Sequence, residues 1–588
     1  MSSLFYLNKY LIKYKWYLIL GILFIAISNI FGVLMPAVVK NTINSIIDTV
    51  EVNLTDLSFN DILKMALISS GIYILYSILS GFFLFLTRQT IIKMSRFIEF
   101  DLKNEIYNQY QRLSFSFYKE NSTGDLMNRI SEDVSKVRMY LGPGIMYTIN
   151  LVIRFVLILF FMLNTNASLT LYVLIPLPIM SVLIYFVSSV INKKSADLQQ
   201  QQSKLTTIVH ESFSGIRIVK SYVKEKEFQQ KFNQSTEHYK NKSISLTKTN
   251  AIFMPTIMLL IGLSTLTTIY FGILHYQEGK INPGEIAQFV IYVNMLTWPF
   301  VSVGWVTSII QRAAASQTRI NEFLNIKPEF ENPTNSQFEF KNTIEFKDVA
   351  LTYSNSGTIA LQRLSFRVTK GQTIGVIGKT GSGKSSLAYL LQRLIDPTDG
   401  EIIIDGKNLK NINLDDWRKV IGYVPQEHFL FSDSIKSNIL FGLEQENVSD
   451  EIVFKAAINA GIHDTIVGFE KGYDTMLGER GVNLSGGQKQ RISIARALIK
   501  NPSLLILDDC LSAVDNETEE LILNAIKDDL KEKTAFIISH RISSIKYADK
   551  ILVLEDGKVI EEGTHDELLS NKGAYHSIYR KQELQEAI

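Results

Sequence analysis

The chain has 588 residues, more than one compact domain usually holds, so at least two domains are expected. Hydrophobic residues make up 46% of it and aromatic residues 11%, and the long apolar runs lie within the first 310 residues. The net charge of +2 argues against nucleic acid as a partner, and the single cysteine, Cys510, excludes a disulfide framework and a cysteine-based zinc site.

The first 15 residues predict an amphipathic helix that lies on a membrane surface. Aromatic and apolar residues are mixed there with Lys9, Lys13 and Lys15. That composition is typical of interfacial helices, whose basic residues face the headgroups. A frayed terminus is the alternative interpretation of residues 1–15.

Six apolar stretches are long enough to cross a membrane, because a helical span needs about 20 mostly apolar residues. The predicted spans are Trp16–Val39, Leu63–Thr87, Leu141–Leu163, Ser168–Ile191, Ile252–His275 and Ile286–Ile310. They predict a transmembrane domain of six helices over residues 16–326.

The basic residues between the spans predict the orientation in the membrane. Lys and Arg are numerous after span 2, from Arg88 to Arg138, and after span 4, from Lys193 to Lys248. Because basic loops stay in the cytoplasm, both termini are expected to be cytoplasmic, with the protein in the cytoplasmic (inner) membrane. Both basic segments also carry apolar residues at helical spacing, which predicts that spans continue into the cytoplasm as long helices. Turns near residues 118–124 and 209–215 are expected to dock on a cytoplasmic domain.

Arg154 is a charged residue midway along span 3, with apolar neighbours on both sides. Exposure of a charge to lipid is costly, so Arg154 is expected to face protein or a water-filled cavity. Snorkelling of its side chain to a headgroup is an equal alternative.

After a polar linker at residues 327–341, the pattern changes to that of an α/β domain over residues 342–588. A short apolar strand, Gln372–Ile377, is followed by the phosphate-binding sequence Gly378–Ser386 and by a helical run. Its glycines let backbone N–H groups point at phosphate oxygens, and the helix N-terminus adds its dipole. Lys384 is expected to neutralise the β- and γ-phosphates of ATP, and the Ser385 hydroxyl to bind Mg²⁺.

Two acidic residues follow the short apolar strand Leu504–Leu507. Asp508 is placed to hold Mg²⁺ through water, and Asp509 to orient the attacking water. The segment Leu484–Gln488, with its glycine pair, resembles a second phosphate cradle at the start of a helix. Two cradles in one chain are explained if two copies meet head to tail and each cradle closes on the other's ATP.

The sequence Leu484-Ser485-Gly486-Gly487-Gln488, between these motifs, resembles the signature of the ABC transporter superfamily. The order of the six-span half and the nucleotide-binding domain is similar to that of bacterial half-transporters of the type IV exporter fold. The resemblance implies a multidomain membrane protein: an all-α transmembrane domain with long intracellular helices, followed by an α/β P-loop ATPase domain. Importers usually keep these parts on separate chains, so the fused order implies export.

The resemblance also implies roles for single residues. It implies ATP contacts for Tyr353, which would stack on adenine, and for Gly378, Thr380, Gly381, Ser382, Gly383, Lys384, Ser385 and Ser386. Gln426 and His540 would be catalytic with Asp509, Glu479 would couple the domains, and Asp515 would lie at the dimer seam. The implied Mg²⁺ ligands are Ser385, Gln426 and Asp508, and Leu484–Gln488 would contact the partner's ATP.

One position departs from the family pattern, which usually has glutamate where this chain has Asp509. Subunits with aspartate there often belong to heterodimers with one weak ATP site. Because the other motifs are intact, a homodimer stays open.

The expected function is ATP-driven export of an amphipathic or hydrophobic substrate by a dimer of half-transporters in contact with membrane lipid. A drug-like compound, a lipid and a peptide are all possible cargo. The alternatives are a lipid flippase of the same fold and an ATP-gated channel.

Overall fold

The computed structural model describes residues 2–52, 59–330, 332, 338–353, 356–444, 448–510, 519, 522 and 533–586. The chain forms two compact units. The first consists of Met1–Gln111 and Thr123–Ile326, and the second of Arg112–Ser122 and Lys327–Ile588.

The described part of the first unit is helical. A 3-10 helix, Ser2–Leu7, precedes α1 (Asn8–Lys13), and π-helical turns lie at Arg88–Ile92, Arg129–Asp133 and Tyr140–Gly144. The remaining α-helices are α2 (Lys15–Val52), α3 (Phe59–Thr87), α4 (Lys93–Arg112, ending in the second unit), α6 (Thr123–Asn128), α7 (Val134–Met139), α8 (Ile145–Thr165), α9 (Ala167–Leu174), α10 (Pro176–Ser214), α11 (Ile216–Ser221), α12 (Glu225–Gln277) and α13 (Pro283–Leu324). The helix α5 (Phe115–Glu120) belongs to the second unit.

Five helical stretches in the described residues are long and apolar enough to cross a membrane: Lys15–Thr49, Ile62–Arg112, Thr123–Thr165, Glu225–Gln277 and Pro283–Leu324. The remaining predicted span, residues 168–191, is also helical but is divided between α9 and α10. The break falls at Ile175, whose backbone stays helical (φ −54°, ψ −44°), directly before Pro176 in the first turn of α10. Proline has no N–H to donate to the preceding turn, so the helical hydrogen-bond ladder is interrupted there.

The N-terminal segment is tied to α4 by two carboxylates, Glu105 and Asp101, and Asp101 accepts hydrogen bonds from Lys13 at 2.6 Å and Tyr14 at 3.1 Å. Glu105 accepts hydrogen bonds from the Tyr6 hydroxyl and the Lys9 ammonium, both at 2.6 Å, and from the Tyr10 hydroxyl. Phe5 and Ile12 point the other way and are 71% and 68% exposed. The apolar side chains are therefore free to enter a membrane surface, and the interfacial placement of this helix stays a prediction.

An ion pair between the buried carboxylate of Asp133 and the half-exposed Arg319 joins the π-helical turn before α7 to α13. Asp133 is 3% exposed and accepts hydrogen bonds from the Ser316 hydroxyl at 2.9 Å and from Arg319 Nε at 2.9 Å. Such a contact stabilises packing because a buried carboxylate without partners is costly.

The second unit contains two sheets. Its strands are β1 (Thr343–Thr352), β2 (Ile359–Thr369), β3 (Thr373–Gly378), β4 (Asp399–Ile404), β5 (Lys407–Asn408), β6 (Ile421–Val424), β7 (Leu504–Asp508), β8 (Thr534–Ile538), β9 (Lys550–Glu555) and β10 (Lys558–Gly563). An antiparallel sheet has the order β2-β1-β4-β5, and a mostly parallel sheet has the order β10-β9-β3-β8-β7-β6.

The helices of the second unit, besides α5, cover the parallel sheet and its surroundings. They are α14 (Lys384–Leu391), α15 (Leu414–Lys419), α16 (Ile435–Leu440), α17 (Asp450–Asn459), α18 (His463–Val467), α19 (Gly486–Leu498), α20 (His565–Ser570) and α21 (Ala574–Glu586), with 3-10 turns at Leu409–Asn411, Gly472–Asp474 and Glu479–Gly481. Both faces of the sheet are buried: Leu505 and Leu507 pack into one apolar cluster, while Leu504 and Ile506 pack into the other. This burial on both faces is why these strands are apolar throughout.

The register of the parallel strands brings the predicted site residues to one edge. Val376 of β3 and Asp508 of β7 both lie opposite Ile538 of β8. Because parallel strands end at the same edge of a sheet, the P-loop after β3, Asp509 after β7 and His540 after β8 converge there.

Candidate functional site

Three glycines in the loop from β3 to α14 occupy positions where another residue would collide with backbone or be strained. Gly383 has φ +97°, and a Cβ there would lie 2.3 Å from the Ala360 carbonyl oxygen. A Cβ on Gly378 would lie 2.2 Å from the Leu554 carbonyl oxygen. Gly381, at φ +84°, faces open space instead. The loop is thus packed against β9 at Gly378 and against β2 of the antiparallel sheet at Gly383, and it is open between them, as a phosphate cradle requires.

Lys384 is held inside this loop. Its side chain is largely buried, and Nζ donates to the carbonyl oxygens of Gly378 and Lys379, each at 2.8 Å. Burial lowers the pKa of Lys384, whereas Asp509 and Asp508 raise it. The ammonium therefore lies among acceptors at the cradle, where a phosphate would be a stronger partner than a neutral carbonyl.

Ser385 and Asp508 form an oxygen pair beside the cradle. The Ser385 hydroxyl donates to Asp508 Oδ1 at 3.1 Å. Burial raises the pKa of Asp508, and the bond from Ser385 opposes that shift. Oxygen ligands suit Mg²⁺, and a cation would offset the burial of this carboxylate. No cluster of three or more His, Cys, Asp or Glu residues suited to a metal occurs in the described residues.

Asp509 lies in a left-handed backbone conformation, with φ +47°. Its N–H donates to the Ile538 carbonyl at 2.8 Å, and its Oδ2 accepts from Gln426 Nε2 at 3.2 Å. Aspartate tolerates this conformation better than most side chains. The structure thus brings two predicted catalytic residues together, although 83 positions separate them in sequence.

His540 completes the predicted catalytic set at the end of β8. Burial lowers its pKa, Lys384 lowers it further, and Asp509 acts in the opposite direction. A lowered pKa keeps the imidazole neutral at pH 7, so that one ring nitrogen can donate and the other accept. Gln582 fixes the segment by donating to the His540 carbonyl oxygen at 2.6 Å.

His428 is a neighbour of this site that sequence reasoning missed. Its Nδ1 is buried without a hydrogen-bond partner in the described residues. Burial lowers the pKa of His428, and Asp509 acts against that shift. A histidine two positions after Gln426 matches none of the motifs above, so its proximity to Asp509 emerges only in the fold.

Tyr353, the predicted adenine contact, lies between the P-loop and helix α5. Its hydroxyl is 3.0 Å from the Ser386 hydroxyl oxygen. The Lys119 ammonium lies 3.8 Å from the centre of the Tyr353 ring, in a cation–π arrangement. Phe115 of α5 also contacts Tyr389 of α14, with ring centres 5.3 Å apart. Helix α5 therefore packs beside the predicted nucleotide contact.

The signature segment forms the start of α19. The Ser485 hydroxyl accepts from the Gln488 N–H at 3.3 Å, and the Gln488 side chain accepts from the Ser485 N–H at 3.0 Å. This reciprocal capping orients the first turn of the helix. Ser485 and Gly486 are exposed, whereas Leu484 is buried and anchors the segment.

The other predicted residues have separate locations. Glu479 is exposed in its 3-10 turn, beside Arg480, which has φ +52°. Asp515 lies outside the described residues. Cys510 is 1% exposed, and burial raises the pKa of its thiol.

Apolar helices of membrane-spanning length, fused to a P-loop site at the edge of a parallel sheet, define an ATP-dependent membrane transporter subunit. Residues 18–300 match the ABC transporter transmembrane region, and residues 361–512 match the ABC transporter model. The chain belongs to the ABC transporter family.

Curated relatives cover most of the chain. It is 38% identical to the probable multidrug resistance ABC transporter ATP-binding/permease protein YheI of Bacillus subtilis, over 82% of this chain and 83% of that protein. It is 34% identical to the multidrug resistance-like ATP-binding protein MdlA of Escherichia coli, over 83% and 82%. A bacterial Atm1-family ABC exporter, solved with ATP bound, superposes with a TM-score of 0.80 at 25% identity, over 97% of this chain and 98% of that chain.

These similarities confirm the predicted fold class and the assignment as an ATP-driven ABC exporter. The protein is a multi-pass membrane protein with a nucleotide-binding ATPase domain. The flippase alternative is not favoured by the names of the relatives.

Proposed function

We propose that the chain is one half of a dimeric exporter that moves amphipathic or hydrophobic compounds of the multidrug type out of the cytoplasm. The relatives named as multidrug resistance proteins support this substrate class. The basic segments after predicted spans 2 and 4 support cytoplasmic termini in the inner membrane.

The proposal of a dimer is based mainly on the exposed start of α19. The chain has one P-loop and one signature segment, and Ser485 and Gly486 are exposed at a helix N-terminus. Such a terminus attracts phosphate. In a head-to-tail dimer, Leu484–Gln488 would contact the ATP held by the partner's P-loop, with Asp515 at the seam and Glu479 near the coupling turns.

Within the ATP site built on this P-loop, each group of residues has a separate role. Gly378–Ser386 wraps the phosphates, Lys384 neutralises them, and Tyr353 stacks on the adenine. Ser385, Gln426 and Asp508 would hold Mg²⁺, which when bound would neutralise charge on the phosphates. Asp509 would orient the attacking water and His540 would contact the γ-phosphate. ATP binding then favours the closed dimer through its differential affinity for that state.

The site built on this P-loop is proposed to bind ATP tightly and to hydrolyse it slowly. Its binding residues are intact, but Asp509 is one methylene shorter than the usual glutamate. A faster site, completed by this chain's Leu484–Gln488, would then lie on a different partner subunit. A homodimer in which Asp509 suffices is the alternative.

Transport into inside-out vesicles tests the proposal. Vesicles with the chain and its co-purifying partner should accumulate a fluorescent amphipathic compound when ATP is added, and Lys384→Ala should reduce that uptake. The matched control is Lys370→Ala, which removes an exposed lysine outside the P-loop. Equal uptake by wild type and Lys384→Ala would contradict the proposed role of this site.

A further inference from the structure

Arg154 of α8 is a cation in the membrane unit without a countercharge in its own chain's spans. The stretches 15–47, 62–98, 134–196, 238–277 and 286–321 contain no Asp or Glu. In the described part of the chain, Arg154 forms neither an ion pair nor a hydrogen bond, and its Nε is buried. A guanidinium at this depth is costly unless an anion or water solvates it.

The guanidinium lies beside α2 and α3. A Cβ built on Gly32 would lie 3.8 Å from Arg154 Nη2 and 3.8 Å from the Ser80 hydroxyl oxygen. One turn earlier, Ser28 and Ser80 join the two helices, because each hydroxyl donates to the other residue's carbonyl oxygen, at 2.9 and 3.0 Å. Because both hydroxyl protons are already donated to carbonyl oxygens, the hydrogen-bond donors left for a ligand at this position are the N–H groups of Arg154.

Aromatic side chains flank this polar position on the same helix faces. Phe24 and Phe31 lie four residues before and three after Ser28, and Tyr76 and Phe83 lie four before and three after Ser80. Phe31 contacts Tyr76 and Phe83 with ring centres 5.8 and 6.1 Å apart, and Phe24 contacts Phe83 at 6.0 Å. All four rings are half-buried, so they offer an apolar wall next to a cation.

We propose that Arg154, with the surrounding faces of α2 and α3, forms a recognition site for amphipathic anions, in which Arg154 binds a carboxylate, sulfonate or phosphate group and the aromatic wall contacts the apolar body. The planar guanidinium can hold such a group through two parallel N–H bonds. This inference rests on the proposed export of amphipathic compounds and narrows their class. An anionic lipid headgroup and a soluble amphiphile share this chemistry.

The test uses the full assembly in phosphatidylcholine nanodiscs, with ATP hydrolysis as the readout. The probes are dodecyl phosphate, dodecylphosphocholine and dodecyltrimethylammonium, below their micellar concentrations, so that only the head group differs. In wild type, the concentration of dodecyl phosphate that gives half-maximal stimulation of ATP hydrolysis should be at least about tenfold lower than that of dodecyltrimethylammonium. This difference is expected for a charge-assisted hydrogen bond shielded from water. Arg154→Gln should abolish that preference, and Arg154→Lys should keep part of it.

Two further variants make the result specific. Arg367→Gln removes the same charge from an exposed arginine on β2 of the second unit, where Arg367 pairs with Glu345 of β1, and should keep the preference. Gly32→Leu retains Arg154 but crowds its guanidinium, so it should weaken the anionic response most. If Arg154→Gln does not fold, wild type and Gly32→Leu still decide the question.

The outcomes separate the two proposals. The anion site alone is overturned if all three probes stimulate ATP hydrolysis by wild type at the same concentration. It is also overturned if Arg154→Gln shifts the half-maximal concentration equally for all three probes. If no amphiphile is transported by an assembly that hydrolyses ATP, the proposed export function itself is wrong. If phosphatidylglycerol in the nanodiscs raises hydrolysis without a probe, and Arg154→Gln removes that rise, the anion site is supported with a lipid headgroup as its ligand.

Discussion

Replacing Asp509 by glutamate should convert a slow ATP site into a faster one. The Asp509 carboxylate is held at 3.2 Å by Gln426 Nε2, and its backbone is fixed by a 2.8 Å bond to the Ile538 carbonyl. Because the backbone cannot move forward without breaking the second bond, the reach of the carboxylate is set by side-chain length.

The size of the effect follows from this geometry. One added methylene moves the carboxylate by roughly 1 Å, a displacement that can change a rate by about 100-fold, or ~2.7 kcal/mol. A counteracting effect comes from the left-handed φ of +47°, which suits aspartate better than glutamate. Strain of about 1 kcal/mol would reduce the gain to roughly 20-fold. We therefore expect the hydrolysis rate at this site to rise between about 20- and 100-fold.

The assay is nucleotide trapping resolved by subunit, together with the ATPase rate of the purified assembly. ATP affinity should stay unchanged, because Lys384, Ser385 and Asp508 are untouched. Asp509→Asn, which keeps the shape but not the charge, is the matched control and should show no gain. If the chain purified alone turns over ATP at rates typical of the family and Asp509→Glu gains nothing, the slow-site reasoning is refuted.

Four further changes test other parts of the structure. Lys384→Ala should weaken ATP binding at this chain's P-loop by at least about tenfold while the thermal unfolding of the membrane unit stays unchanged, and undiminished nucleotide binding would contradict its role. Gly487→Asp should block trapping at the partner's P-loop, whereas loss at this chain's own P-loop would refute the head-to-tail arrangement. Tyr353→Ala should weaken ATP binding by roughly tenfold or more, and Tyr353→Phe much less, if the ring stacks on adenine. Asp133→Asn should destabilise the membrane unit by about 1–3 kcal/mol, seen as a lower melting temperature, because the change removes the charge that Arg319 pairs with; an unchanged melting temperature would show that this pair adds no stability.

The fold class and the nucleotide site could be predicted from the sequence because their determinants are local. Apolar runs of membrane-spanning length and the strand–loop–helix order around Gly378–Ser386 depend on neighbouring residues alone. Gly378 and Gly383 lie where a side chain would collide with backbone. The glycines by which the motif is identified in the sequence are therefore the same ones that the folded loop requires.

Contacts between distant segments were decided by the tertiary structure. The resemblance to the family implies that Gln426 and Asp509 act together, but the sheet register sets their 3.2 Å contact. The left-handed backbone of Asp509 has no sequence signal. His428 beside Asp509 and Lys119 over Tyr353 follow from the packing of loops and helix α5, which no motif encodes.

For Arg154 in the membrane unit, too, the sequence indicates one property and the tertiary structure decides another. Its charge amid apolar residues marks it in the sequence, but its neighbours could be protein, water or headgroup. Only the packing of α8 on α2, and of α2 on α3, places it beside Gly32 and Ser80. The physical reason is that hydropathy reports how strongly a segment avoids water, whereas the partner of each side chain depends on helix rotation and contact, which are properties of the folded chain.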